Sequence, residues 1–547
     1  MRDMTPIDSF AESWLSELLQ DSPILATEIG VDINQHQLDD FSPERIENDR
    51  NKVVAARSAL LKIDATDFTD EITKHAMVSD FDSKLEIMDS GWVFRNLNNI
   101  SSPIQDIRNA FDLMPVKTSD NWQNIYRRIA EIPKALSGYK ETLQVGIRSN
   151  QTPARRQVVE LMKQIIELGS ARGPLGKLVV AGSAEFPQLE SGLQKSFAEA
   201  LVALESFNEF LQQKLLPSTD NRDAVGRELY ALLSNSFLGT KIDMDETYLW
   251  GLQQLAEIEA QQVEVANQIR PGSTIKEAFE LLDKDLAYRI EGAENLKVWM
   301  QGVSDAAIEQ LDGVFFEIPH PLKALECNIS STNQGGIHYT QPAEDFSRPG
   351  RMWWSIPDGV SVFSTWREKT TVYHEGVPGH HLQLGWQVYN KELNGWRRNV
   401  SWTSGHGEGW ALYAEQLMHE FGFLDDPADR MGMLDAQKMR AARVVLDIGV
   451  HLEKEIPEGG KPWDFNYAKS FMKRHVSMND KSMEFEVNRY FGWPGQAPSY
   501  KIGQRIWSQL RAQQEAKQGS HFDLKKFHSD ALGLGGLGLD TLLFAFK

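Results

Sequence analysis

The sequence predicts a mainly α-helical protein, a large helical body with one small antiparallel β-sheet. Three observations carry this. Apolar residues recur at helical spacing over most of the 547-residue chain. One stretch, 313–365, abandons that spacing for short apolar runs between Gly and Pro turns. Helical spacing returns from about Thr365 and holds towards the C-terminus.

The elements follow in order. Phe10, Trp14, Leu15, Leu18 and Leu19 share one stripe, the pattern of a buried helix face. Gly30 closes that unit as a C-cap. Helices are expected over 45–63, 68–95, 119–148, 153–170, 187–215, 220–236, 244–268, 274–287 and 292–312. Pro271-Gly272-Ser273 forms a turn, and Thr274 is the N-cap of the helix after it. Strands are expected at 314–319, 337–340 and 352–356, parted by Gly335-Gly336 and by Arg348-Pro349-Gly350. The glycine-rich run 533–538 reads as a loop before a last short helix. It lacks the Lys-Ser or Lys-Thr of a phosphate-binding loop. No repeat or linker is visible, so one domain is expected over 1–547. Within it, 1–312 forms a helical lobe, and 313–547 carries the sheet and the candidate metal site.

Composition narrows the function. A formal charge of −20 argues against nucleic acid as a partner, because phosphate binding needs a basic face. One cysteine, Cys327, excludes an internal disulfide framework and a thiolate-rich metal cluster. The first residues hold no basic region followed by an apolar run, and no apolar stretch approaches eighteen residues. A soluble cytoplasmic protein with no membrane partner is therefore expected, and nothing argues against a homodimer.

The informative segment is His374-Glu375-Gly376-Val377-Pro378-Gly379-His380-His381-Leu382-Gln383. A zinc hydrolase needs three protein ligands, an open position for water, and a base. In His-Glu-x-x-His the histidines lie one helical turn apart, and the glutamate is the base. Here two further residues intervene. In a regular helix His380 would point about 120° away from His374, and His381 would lie roughly 10 Å along the axis. Neither could share a metal with it. Pro378 lacks the amide that would bond His374, and Gly376 and Gly379 flank it. A two-residue bulge at Val377-Pro378 would restore His-Glu-Gly-Gly-His, with His374 and His380 as ligands and Glu375 as base. His381 then faces substrate or supports the ligands. Glu408, 28 residues after His380, opens a second helix and supplies the third ligand. Glu415, two turns further on, suits the orientation of a ligand histidine.

These motifs carry a resemblance. Ser347-Arg348-Pro349-Gly350, Tyr373 through Gln383, Glu408-Gly409-Trp410-Ala411-Leu412-Tyr413-Ala414-Glu415, and Pro494 through Gly503 are similar to the bacterial family known as domain of unknown function 885. The layout also resembles helical zinc metallopeptidases of the thimet-oligopeptidase, angiotensin-converting-enzyme and carboxypeptidase-Taq types. That resemblance implies a helical body split by a deep channel, with the small sheet beside the zinc helix. It maps His374, Glu375, His380 and Glu408 onto the zinc site. The Val377-Pro378 insertion leaves His380 and His381 both in play as second ligand.

The similar enzymes hold the oxyanion with a tyrosine or histidine from the C-terminal region, and here Tyr500 is the candidate. In related architectures an edge strand pairs with the substrate backbone, a role that falls to 352–356. Trp353 and Trp354 would meet apolar substrate side chains, and Arg348, Arg351 or Arg489 would clamp a substrate carboxylate. The expected activity is a zinc-dependent metallopeptidase, with one zinc per chain, that hydrolyses short peptides as a carboxypeptidase or oligopeptidase. Manganese or cobalt would suit the same ligand types. The alternatives are a metal-dependent hydrolase of another amide or ester, and a non-catalytic peptide-binding protein on the same scaffold.

Overall fold

Small polar residues and prolines start the helices. Thr5 caps Pro6–Asp21 in a reciprocal box with Asp8, Thr118 caps Ser119–Arg148 with Asn121, and Thr274 caps Ile275–Leu282 with Glu277. Each box satisfies amides that a first helical turn leaves unpaired. The computed structural model describes residues 2–330, 336–357 and 359–547, and the chain is mainly α-helical. Gly335, half of an expected turn, lies outside the described residues. No described helix is long and apolar enough to cross a membrane.

Among the described residues, the helices bury three apolar clusters. One gathers Ile7, Trp14, Met77 and Phe81 with Trp396 and Leu537 from far along the chain. A second joins Trp122, Ile129, Leu161 and Phe207. The third runs from Tyr230 to Leu542 and contains Trp354, Trp366, Trp410 and Trp507. The candidate site sits against this third core.

Among the described residues, five short strands support it. β1 (Arg289–Glu291) pairs antiparallel with β5 (Val362–Ser364), which runs directly into the helix Thr365–Glu375. β2 (Leu325–Ile329), β3 (Ile337–Thr340) and β4 (Gly350–Trp354) form a sheet in the order β2-β4-β3. β3 pairs antiparallel with β4, whereas β2 runs parallel to it, so this sheet is mixed rather than wholly antiparallel. The outer edge of β2 is closed by Gln301, whose side-chain amide donates to Leu325 O and accepts from Cys327 N–H. β3 forms the other edge.

Two expectations change. No strand forms at 314–319. Phe316 and Ile318 are buried singly, and the Ile318 amide donates to Asp312 Oδ1 instead of joining a ladder. Of the 352–356 segment, 352–354 belong to β4, which is central and has both edges paired, so it cannot receive a substrate strand, and 355–356 follow its end.

Candidate metal centre

The first histidine helix, Thr365–Glu375, and the second, His380–Tyr389, are separated by four residues. Their hydrogen bonds show how the chain passes between them. Gly376 N–H reaches back four residues to Val372 O at 2.8 Å. Gly379 N–H reaches back six, to Tyr373 O at 3.1 Å, and His381 N–H reaches back five, to Gly376 O at 3.1 Å. Gln383 N–H resumes the four-residue ladder at Gly379 O, 3.1 Å away. Two residues are thus looped out around Val377-Pro378, whose peptide bond is cis. Trp410 Nε1–H holds the loop by donating to Pro378 O at 2.9 Å. The bulge read from the sequence is present, although it divides the helix in two.

Its effect is to bring His380 to His374, with ring centroids 4.9 Å apart and planes at 88°. Glu408 rises from the glutamate helix Ser404–Glu420 to meet both. Its Oε2 lies 3.3 Å from His374 Nε2 and 3.4 Å from His380 Nε2. Ligands about 2.0–2.1 Å from a tetrahedral zinc stand roughly 3.3 Å apart, so these spacings suit the ion. His374, His380 and Glu408 form a group able to hold a metal ion.

The surroundings fit a cation. Glu415 is wholly buried, accepts from His374 Nδ1 at 2.8 Å and from Thr370 Oγ1 at 2.8 Å, and has Arg440 at 3.8 Å. With Nδ1 so engaged, His374 turns Nε2 towards Glu408. Burial opposes a charge on His374, yet Glu408, Glu415 and Glu375 outweigh it and push its pKa up to about 10. Burial likewise opposes ionisation of Glu408, but the two histidines hold it well below the usual carboxylate range. Burial raises the pKa of Glu375, against the pull of His380 and His374. The carboxylates therefore outweigh the neighbouring positive charge, a balance that suits a cation.

Tyr500 lies in the first turn of the tyrosine helix, Ser499–Gln518. Burial and Glu408 raise its pKa, while Arg489 and Arg443 oppose them, which places its hydroxyl within electrostatic reach of both the ligand and the arginines. The glutamate and tyrosine helices meet backbone to backbone. A methyl group added at Gly409 would fall 2.5 Å from Gly503.

The remaining expected residues are placed differently. His381 is fully buried and faces no open space. Its Nε2 bonds Leu322 O at 2.8 Å and its Nδ1 bonds the Tyr339 hydroxyl at 2.9 Å, and burial pushes its pKa down to about 4. Neither nitrogen is available to a metal or substrate. Trp354 points into the core at 3 % exposure, because β4 alternates and Trp353 takes its other face. Arg351 pairs with Glu326 at 2.7 Å. Arg348 is half-buried ahead of β4 and donates to Pro349 O at 3.4 Å. Arg489 is partly buried beside Tyr500, against Glu486 at 3.3 Å. The sequence reading missed Arg440 and Arg443, which share a helix, Pro427–His451, with no motif of its own. It also missed Trp402, 44 % exposed and 6.2 Å from the His380 ring.

The family model for bacterial proteins of unknown function, DUF885, matches residues 23–543. The chain belongs to that family. No curated protein matches it in sequence. Among solved structures, a "putative lipoprotein" from Colwellia psychrerythraea is similar at 22 % identity and a TM-score of 0.88, over 99 % of this chain and 98 % of that one. A "putative lipoprotein of unknown function" from Shewanella oneidensis is similar at 17 % identity and a TM-score of 0.75, over 98 % and 99 %. These likenesses show the fold. A carboxypeptidase from Pyrococcus furiosus, at 12 % identity and a TM-score of 0.36 over 92 % and 95 %, is too distant to carry an argument. The cytoplasmic location expected from the sequence does not stand, because both end-to-end neighbours are described as putative lipoproteins.

Proposed function

We propose that this DUF885 protein is a zinc-dependent peptidase acting on short peptides. The observation that carries the proposal is the convergence of His374, His380 and Glu408 with Glu375 next to them in a buried pocket of carboxylates. A zinc ion held by the three would polarise a carbonyl and acidify a water molecule. Glu375 takes the proton of the attacking water and passes it to the leaving amine, a task aided by burial that lifts a carboxylate towards the working pH. Tyr500 donates its hydroxyl to the oxyanion. Glu415 keeps His374 in the tautomer and orientation that the ligand role requires.

Substrate binding is assigned to β3 rather than β4. β3 is an edge strand, and its Tyr339 reaches the residue after His380. An extended peptide could add to that edge. Trp402 supplies the exposed aromatic surface beside the ligands that Trp354 does not.

The test is Glu375→Gln with metal analysis and a peptide-library digest. The variant should retain one metal per chain and lose turnover; a variant that still cleaves would refute the base assignment. Wild-type protein that holds metal and cuts no peptide would move the substrate to another amide or ester.

A further inference from the structure

Beside the candidate metal centre lie two arginines, Arg443 buried and Arg489 largely so, with a single carboxylate partner among the described residues. Arg443 donates through Nε to the Tyr490 hydroxyl at 2.7 Å and through a terminal nitrogen to Glu486 at 3.0 Å. Arg489 donates to Glu486 at 3.3 Å and to Gln496 Oε1 at 2.7 Å. Tyr490 donates to the same Glu486 at 2.5 Å. Asp447 also acts electrostatically on Arg489, but it accepts from Tyr230 and from Gly495 N–H rather than from either guanidinium. Each guanidinium has five N–H donors, and Arg489 Nε is buried without a partner. Two positive charges thus share one bonded carboxylate, which leaves guanidinium N–H donors for an anion.

The pair faces the reaction. Arg443 lies 5.2 Å from the ring centre of Tyr500, whose hydroxyl also feels Glu408. Gln496, the acceptor of Arg489, lies 3.4 Å from Ser404 Oγ, and Ser404 stands one turn ahead of Glu408 on the glutamate helix. An anion held here would lie beside Tyr500 and the glutamate helix.

We propose that Arg489 and Arg443 anchor the free C-terminal carboxylate of a peptide, making the enzyme a carboxypeptidase. This rests on the peptidase reading above. Guanidinium groups suit the role because they bind a carboxylate through parallel N–H bonds. Glu486 positions them, and Tyr500 spans the distance from the anchor to the ligands.

One peptide, made as the free acid and as the C-terminal amide, tests the anchor. Calorimetry on zinc-loaded Glu375→Gln protein should show the acid binding roughly 10- to 100-fold tighter, as charge-assisted hydrogen bonds allow. Adding Arg489→Gln should bring the acid down to the level of the amide. Equal binding of the two by protein with the anchor intact overturns the proposal, and this comparison does not depend on whether the arginine variant folds. In turnover by the wild type, release of single C-terminal residues from the acid alone supports it. Equal cleavage of both forms overturns the anchor and leaves the peptidase standing. Cleavage of neither, with metal retained, overturns both.

Discussion

Alanine at His380 and alanine at His381 should fail in opposite ways. His381 is fully buried and both ring nitrogens are bonded, to Leu322 O at 2.8 Å and to the Tyr339 hydroxyl at 2.9 Å. His381→Ala strands a carbonyl and a hydroxyl in the core. At about 1–3 kcal/mol for each group left unpaired, the loss is about 2–6 kcal/mol of folding stability. That is a large part of the roughly 5–15 kcal/mol that holds a typical domain together. The metal group is untouched, so metal should remain. His380 is buried too, but its Nδ1 has no partner, and its Nε2 faces Glu408 at 3.4 Å. His380→Ala therefore leaves few groups stranded and removes one of three ligands. Metal affinity should fall by more than the roughly 10- to 100-fold that loss of an outer partner costs. Urea unfolding and metal content after dialysis against a weak chelator measure the two effects separately. Loss of metal from His381→Ala together with its retention by His380→Ala would refute the assignment of ligands.

Two further outcomes follow from buried carboxyl groups. Glu415→Leu should weaken metal binding about 10- to 100-fold, or about 1.4–2.8 kcal/mol, because His374 loses the acceptor that orients it; competition with a chromophoric chelator reads this, and an unchanged affinity would count against the orienting role. Asp106 is lifted to about 7 by burial, with Glu28 and Asp39 adding to it. The folded chain therefore binds this proton more tightly than the unfolded chain, and the stabilisation present below about pH 4 is lost as pH climbs towards 7. Asp106→Asn should leave stability near pH 4 little changed and raise it at pH 8, by on the order of 4 kcal/mol at most. Thermal unfolding at the two pH values checks it, and equal shifts at both would sink it.

Long periodic helices were the most legible part of the fold. Ser119–Arg148 matches its expected span, and Met244–Ile269 exceeds its own by one residue. Two helices went unread, Pro103–Leu113 and Pro174–Glu185. Both begin at a proline after Ser or Gly, and in the second case Gly173-Pro174-Leu175-Gly176 has the composition of a turn. Proline at the first helical position carries no such meaning, since its missing amide would be unpaired there anyway. β2 was hidden because Asn328 and Glu326 break its apolar run, and its edge is completed by a side chain, Gln301, from another element. At the site, the bulge was legible because proline and glycine restrict or free the backbone locally. The fate of His381 was not, because it depends on Leu322 and Tyr339, which only folding brings near. Arg443 and Arg489 were illegible as a pair for the same reason: 45 residues part them in sequence.

The seam between Gly409 and Gly503 bears on how such an enzyme can diverge or be redesigned. No residue is smaller than glycine, so this contact can be widened but never tightened. The approach of the glutamate helix to the tyrosine helix is set here by two main chains in contact, not by side chains that can be traded one methylene at a time. Reshaping this half of the site is thus a discontinuous change, in which a whole helix moves or nothing does. Gradual adjustment is left to side chains away from this seam, such as those of the β3 edge.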